Sequence, residues 1–187
     1  MRRIIAALNM TIDGVCDHTA LEAGEEIHQH YTDLLKQGDA ILYGRTTYEL
    51  MEFWRTFLEK PSAEKSMNDF ALAIDRIPKI VFSHSLNQVD WKSATLAKRD
   101  LEEEVLHLKK QPGKNVLVGS RSLIIQLLEL GLIDEFQLCV HPVVAGTGML
   151  LFEHMNNRVM LNLKKTKTFQ GGAVILYYES CPTSKQP

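Results

Sequence analysis

No apolar stretch in this sequence is long enough to span a bilayer. The opening Met-Arg-Arg-Ile-Ile-Ala-Ala-Leu stops at Asn9 and meets Asp13 soon after, which is also too short for a secretion signal. Cysteine is scarce: Cys16, Cys139 and Cys181 are odd in number, far apart and form no Cys-x-x-Cys. That spacing excludes a disulfide framework or a cysteine zinc site and fits reduced thiols in a cytoplasmic protein. A surplus of one charge is missing too. The 21 basic and 23 acidic side chains leave a formal net charge of -2, so no global field favours nucleic acid or an anionic membrane.

What is present is ordinary globular material. With 45% hydrophobic and 24% charged residues in a chain of 187, the composition argues against disorder and coiled coil, and the length supports one core. No linker, repeat or low-complexity segment divides it, so residues 1–180 are expected to form one domain and 181–187 a C-terminal tail.

The apolar periodicity alternates between two kinds. Arg3 to Leu8, Ala40 to Tyr43, Lys79 to Phe82 and Asn115 to Val118 read as short buried strands. Between them come helical spacings: Ile27, Tyr31, Leu34 and Leu35 with Gly38 as cap; Thr47 to Phe57; Ser66 to Ile77 with Asp69 in its first turn; Asp100 to Lys110; and Leu123 to Leu130 between Ser120 as N-cap and Gly131. From Phe136 the pattern alternates, through Leu138 and Val140, and two extended runs flank Gly171-Gly172 as an antiparallel hairpin. This order predicts an α/β fold: a mostly parallel central sheet flanked by helices, with a C-terminal antiparallel hairpin.

In open sheets of this kind ligands bind beyond the carboxyl ends of the strands. Three junctions there carry anion-binding groups: Gly44-Arg45-Thr46, Ser83-His84-Ser85 and Gly119-Ser120-Arg121. Taken singly, Gly44 and Gly119 read equally as turn glycines, and Arg45 and Arg121 as solvated charges. Neither turn matches the Gly-x-Gly-x-x-Gly or Gly-Lys-Ser/Thr fingerprints, so the residues by themselves reach a phosphate-bearing ligand and no further. His18, His28 and His30 crowd one region without an acidic partner at ligand spacing, so no metal site is read there. His141, before Pro142 at a strand end, reads as a packing or capping residue. A hydrolase using Cys16 or Cys139 lacks any aligned base.

Gly44-Arg45-Thr46-Thr47-Tyr48-Glu49, Ile80-Val81-Phe82-Ser83, Val116-Leu117-Val118-Gly119-Ser120, Gly131-Leu132-Ile133-Asp134-Glu135 and His141-Pro142-Val143-Val144-Ala145-Gly146-Thr147-Gly148 stand in an order that resembles the dihydrofolate reductase superfamily. The closer resemblance is to its branch related to the C-terminal reductase domain of bacterial riboflavin biosynthesis, from Arg3 to Glu179. It implies an NADPH-dependent reductase acting on a small pterin-like or pyrimidine-like substrate. It also implies Ala7 beside the nicotinamide, Gly44, Arg45 and Thr46 near the cofactor phosphates, Ser83 and His84 toward the adenosine 2'-phosphate, and Gly119, Ser120 and Arg121 around the pyrophosphate. Dihydrofolate reductases carry a substrate-binding carboxylate on the first helix; the corresponding position here is His28, so folate reduction is not expected. Thr11-Ile12-Asp13-Gly14 resembles the branch's Ser-Leu-Asp-Gly turn and makes Asp13 either a substrate contact or a turn-forming aspartate. No residue is assigned as the proton donor. A nucleotide-binding module of the same fold without turnover remains the alternative. The alternating Phe136, Leu138 and Val140 and the hairpin residues Val174 to Tyr178, read as edge strands apolar on both faces, lead to an expected homodimer, as is common in that branch.

Overall fold

The computed structural model describes residues 1–180; the expected tail, with Cys181, lies outside them. Eight strands form one sheet in the order β4-β3-β2-β5-β1-β6-β8-β7. They are β1 (Ile4–Thr11), β2 (Gly38–Gly44), β3 (Lys79–Phe82), β4 (Ala94–Leu96), β5 (Asn115–Val118), β6 (Glu135–His141), β7 (Leu161–Thr168) and β8 (Val174–Ser180). The first six strands along that order are parallel; β8 runs antiparallel to β6, and β7 antiparallel to β8. This is the predicted mostly parallel sheet with a terminal antiparallel hairpin. The chain runs from β1 past the place of β5 to β2, builds outward to β4, and returns to set β5 against β1.

The helices are α1 (Glu25–Gln37), α2 (Arg45–Met51), α3 (Thr56–Glu59), α4 (Lys65–Arg76), α5 (Leu101–Lys110) and α6 (Arg121–Glu129). They cover both faces, because each parallel crossover must lay its helix on the sheet. On one face Leu101, Val105 and Leu108 of α5 and Leu123, Ile124, Leu127 and Leu128 of α6 bury Ile4, Ala6, Leu42, Val116 and Val118. On the other, Leu34 and Leu35 of α1 and Ile74 of α4 bury Ile5, Ile41, Tyr43 and Leu117. Asp100 caps α5 by accepting from the Glu103 N–H at 2.8 Å. Gly131, at φ +65°, ends α6 in the left-handed turn that favours glycine.

Several local expectations change. Strand β1 runs past Leu8 to Thr11, so Asn9, Met10 and Thr11 belong to the sheet and pair with Cys139, Val140 and His141. The helical spacing from Thr47 to Phe57 is divided between α2, a tight 3-10 turn (Glu52–Arg55) and α3. Strand β4 is too short to leave an apolar signal. Asp69 falls beyond the first turn of α4, where it pairs with Lys65 at i,i+4. Gly38 is not a left-handed cap: at φ -98° it is extended and opens β2 directly. The edge-strand reading of β6 and β8 is corrected as well. Both are interior, and the edge at this end of the sheet is β7, which carries Lys164, Lys165 and Lys167.

Candidate functional site

The three junctions that the sequence reading singled out come together because β3, β2 and β5 are neighbours in register, Phe82 beside Gly44 and Val118 beside Leu42. Gly44 and Ser120 are joined directly: the Gly44 N–H donates to Ser120 Oγ at 2.9 Å. Ser120 occupies the N-cap position of α6, but its hydroxyl is spent on Gly44, which corrects the expected side-chain cap and leaves the first-turn amides of α6 without one. Gly119 is tightly packed: a Cβ there would lie 3.1 Å from the Tyr43 ring, which would have to give by a few tenths of an ångström. The Gly119–Ser120 peptide is trans.

Around this centre the side chains differ in how free they are. Arg45 and Thr46 are exposed, and Arg45 lies 3.6 Å from Glu49, a solvated pair that leaves its guanidinium available. His84 is exposed, whereas the Ser83 hydroxyl accepts from the Ser85 and Leu86 N–H groups at 3.2 and 3.0 Å and shapes the turn. Arg121 is committed elsewhere. Its Nε donates to the Leu150 and Leu151 carbonyls at 2.7 and 3.2 Å, and its Nη2 lies 3.7 Å from Glu153. Ala7, half-buried on β1, lies one residue beyond the Ala6–Val118 pairing, at the centre of the sheet.

Asp13 sits where two loops are laced together. Its carboxylate accepts from the Ala145 and Gly146 N–H groups at 3.1 and 2.7 Å and from the Thr11 hydroxyl at 2.5 Å. The Thr11 hydroxyl and the two amides hold it at about 2, below the usual carboxylate range. The lacing continues through Ile12 N–H to the Val143 carbonyl, Cys16 N–H to that of Met149 and Leu151 N–H to that of Gly14. Asp13 therefore clips the 143–151 loop to the end of β1.

His28 is half-buried on α1, edge-on to Trp54 at 5.4 Å and tilted against Phe70 at 6.2 Å. Burial pushes its pKa down, and Nδ1 is buried without a hydrogen-bond partner. His30 lies apart from it, 3.2 Å from the Gln137 side-chain oxygen, and His18 is exposed beside Asp17.

The structure adds a polar group that the sequence reading did not assemble. Asn9 Oδ1 accepts from the Tyr31 hydroxyl at 3.0 Å and lies 3.1 Å from His141 Nε2. Cys139 Sγ is 3.7 Å from the same nitrogen, and burial raises its thiol to about 12. The available signal was the alternation of β1: carried past Leu8, it puts Asn9 on the face of Ala7. Beside this cluster opens a cleft of about 600 Å³, lined by the loop before α1, His141 to Val143 and the β7–β8 turn. A second groove of about 540 Å³ between α1 and α4 lies at the opposite end of the strands and touches none of these residues.

The family model described as "RibD C-terminal domain" matches residues 2–177. The uncharacterized protein YyaP of Bacillus subtilis (strain 168) is 37% identical over 181 residues, which cover 95% of this chain and 94% of that protein. Among solved structures, the riboflavin biosynthesis reductase of Saccharomyces cerevisiae superposes with a TM-score of 0.62 at 15% identity, over 96% of this chain and 90% of that one. Dihydrofolate reductase from Enterococcus faecalis, complexed with NADP(H), superposes with a TM-score of 0.62 at 14% identity, over 95% and 96% of the two chains. At such identities the two structures speak for the fold.

Proposed function

Because this chain belongs to the RibD C-terminal domain family, we propose that it is an NADPH-dependent reductase that transfers hydride to a small pterin-like or pyrimidine-like substrate. The observation that carries the reading is the Gly44–Ser120 hydrogen bond, 2.9 Å long, which joins two strand ends and withdraws the serine from α6. The uncapped amides of α6 then face the same strand ends as exposed Arg45, Thr46 and His84, a donor set suited to a dinucleotide's phosphates. Gly44 has room beside it: a Cβ there would reach Ser122 Oγ at 3.4 Å, ordinary contact, so the glycine leaves the backbone open to a ligand.

The residues present fit the cofactor. Arg45, Thr46, Ser83 and His84 would meet its outer phosphates, Gly119 and Ser120 the pyrophosphate, and Ala7 the nicotinamide. Arg121 would join them by releasing Leu150 and Leu151. When bound, NADPH supplies the hydride; orientation and exclusion of water fall to the chain. His28, neutral near pH 7 because burial lowers its pKa, takes the place of a carboxylate and so cannot pair with a protonated pterin as an anion would. The same substitution favours a second reading, a nucleotide-binding module of this fold without turnover.

Fluorescence titration with NADPH and NADH, followed by a screen of pterins, folates and aminopyrimidines for NADPH oxidation, tests both. NADPH is expected to bind more tightly than NADH, with the gap narrowing as salt screens Arg45. Arg45→Ala should weaken NADPH binding while the melting temperature stays near that of the parent. Equal affinities for the two cofactors across a salt series would defeat the reading. NADPH binding without oxidation of any compound would favour the module.

A further inference from the structure

The Asn9 cluster has no part in the cofactor site described above, and its hydrogen bonds fix more than the packing of a core. Asn9 is half-buried on β1, two residues beyond Ala7 on the same face of the sheet, toward the carboxyl end where ligands gather. Its side-chain oxygen is filled from both sides, by the Tyr31 hydroxyl of α1 and by His141 Nε2 of β6. Tyr31 keeps its proton, since burial holds the phenol well above its ordinary value, so it is available as a donor. His141, 4% exposed, is pushed toward the neutral form by burial, and in the tautomer that carries its hydrogen on Nε2 it donates to Asn9 Oδ1 at 3.1 Å. With Oδ1 so occupied, Nδ2 must turn the other way. There it meets no acceptor among the described residues, and it is not among their buried atoms left unpartnered. The carboxamide therefore presents unused N–H donors near the carboxyl end of β1, next to the His141 that lines the cleft.

An exposed asparagine on a surface turns freely and means little. Here the rotation is set by two donors from separate elements, α1 and β6, that meet at one oxygen. A protein that needed only to fill this position could have used an apolar residue, as it does at Ile5 and Ala7 on the same face. Fixed donors whose proper partner is absent reject ligands that cannot accept a hydrogen bond, because a buried donor left unpaired costs more than a typical hydrogen bond contributes.

We propose that Asn9, locked by Tyr31 and His141, is a specificity-determining residue that donates a hydrogen bond to an exocyclic carbonyl oxygen on the edge of the planar substrate. This rests on the reductase reading for the identity of the bound molecule as substrate, while the donor itself rests on the geometry of Asn9. Tyr31 and His141 act through Asn9 and are positioning residues.

A matched pair of probes tests it: lumazine, whose ring edge carries carbonyl acceptors, and diaminopteridine, which presents amines at the same places. Binding of each to the full-length protein is measured by fluorescence, with and without NADPH. The wild type is expected to favour lumazine by about tenfold, the ratio equivalent to one well-made hydrogen bond. Asn9→Asp keeps an acceptor for Tyr31 and His141 but has no donor to offer, and should abolish or reverse the preference. Tyr31→Phe should reduce it severalfold, with His141 still in place. The Asn9 side-chain amide, followed by nitrogen-15 NMR in the unaltered protein, should shift on addition of lumazine and not of diaminopteridine, which covers the case of a variant that fails to fold. If NADPH does not bind but the probe preference follows Asn9, the reductase reading falls and this inference stands. A wild type that binds neither probe, a preference unchanged in Asn9→Asp, or an Asn9 amide that does not move would overturn the inference, whatever NADPH does.

Discussion

At the scale of single residues, two charged side chains do opposite things for stability. Asp13 is exposed, and its carboxylate serves three donors. Because its folded pKa, about 2, lies below the ordinary carboxylate value, its contribution is present above pH ~4 and is lost as pH falls through about 2. Asp13→Ala should leave the melting temperature nearly unchanged but accelerate amide hydrogen exchange at Ala145 and Gly146, which lose their acceptor. Exchange at the wild-type rate would show that the remaining lacing holds the loop alone. Lys79 is the reverse case. It is 1% exposed, with Nζ bonded to Ser93 Oγ at 2.7 Å and the Ile77 carbonyl at 3.0 Å, and 3.9 Å from the Trp91 ring centroid. Burial nonetheless pushes its pKa down from 10.5 to about 8, with Asp75 opposing the shift. Between these values the unfolded chain holds more protons than the folded one, so this lysine's effect is to make stability rise with pH from about 8 to 10.5. Lys79→Met should remove that part of the slope in urea titrations taken across the range, and an unchanged slope would assign it to other groups.

At the scale of elements, the passage from α1 into β2 is the tightest joint in the fold. Helix α1 ends at Gln37 and β2 begins at Gly38 with no loop between them. That joint presses the backbone onto β5: a Cβ at Gly38 would lie 2.9 Å from Leu117 Cγ and 3.3 Å from the Asn115 carbonyl. The glycine is demanded by this approach, since its φ of -98° suits any residue. Gly38→Ala is expected to cost about 1–3 kcal/mol in urea denaturation, the range for overpacking a core. Leu117→Val in the same chain should return part of the loss, as neighbouring substitutions couple. Additive losses would mean that the clash is relieved elsewhere. The joint bears on the candidate site because it starts the strand that, past an irregularity between Gly38 and Ala40, pairs with β5 and carries Gly44 to Ser120.

At the scale of the molecule, the question is what covers the antiparallel end of the sheet. One face there is closed internally: Ile175 and Tyr177 pack with Ile27 of α1 and with Phe169. The other carries Leu176 and Tyr178, both half-buried, and continues onto Leu163, which pairs with Tyr178 and is 52% exposed beside Met160 at 57%. Edge pairing through β7 is opposed by its three lysines, a common guard on an open strand. We therefore expect a homodimer formed face to face across Leu163, Leu176 and Tyr178, not by extension of the sheet. Light scattering at micromolar concentration should return twice the 21.2 kDa of the chain, and Leu163→Lys should shift it toward monomer. A monomeric wild type would leave the apolar strip as plain surface.

Much of this architecture follows from local sequence, because strands and helices with uninterrupted apolar periods must bury the same faces in any fold that contains them. The alternation of short apolar runs with helical spacing determined the parallel sheet, and Gly44, Gly119 and Ser120 after strand residues pointed to the strand ends that the structure sets side by side. Local pattern had no hold on β4, on the broken helix after Met51, or on which strand would form the edge, since those depend on neighbours distant in the chain. The same holds for the polar groups. Ser120 had the composition and place of a helix cap, and only the pairing of β2 with β5 turned it to Gly44. Asn9, Tyr31 and His141 come from three separate segments, and the lacing of Asp13 to Gly146 spans 133 positions. Hydrogen bonds between residues so far apart are made only when the sheet closes, so their partners were decided by the tertiary structure alone.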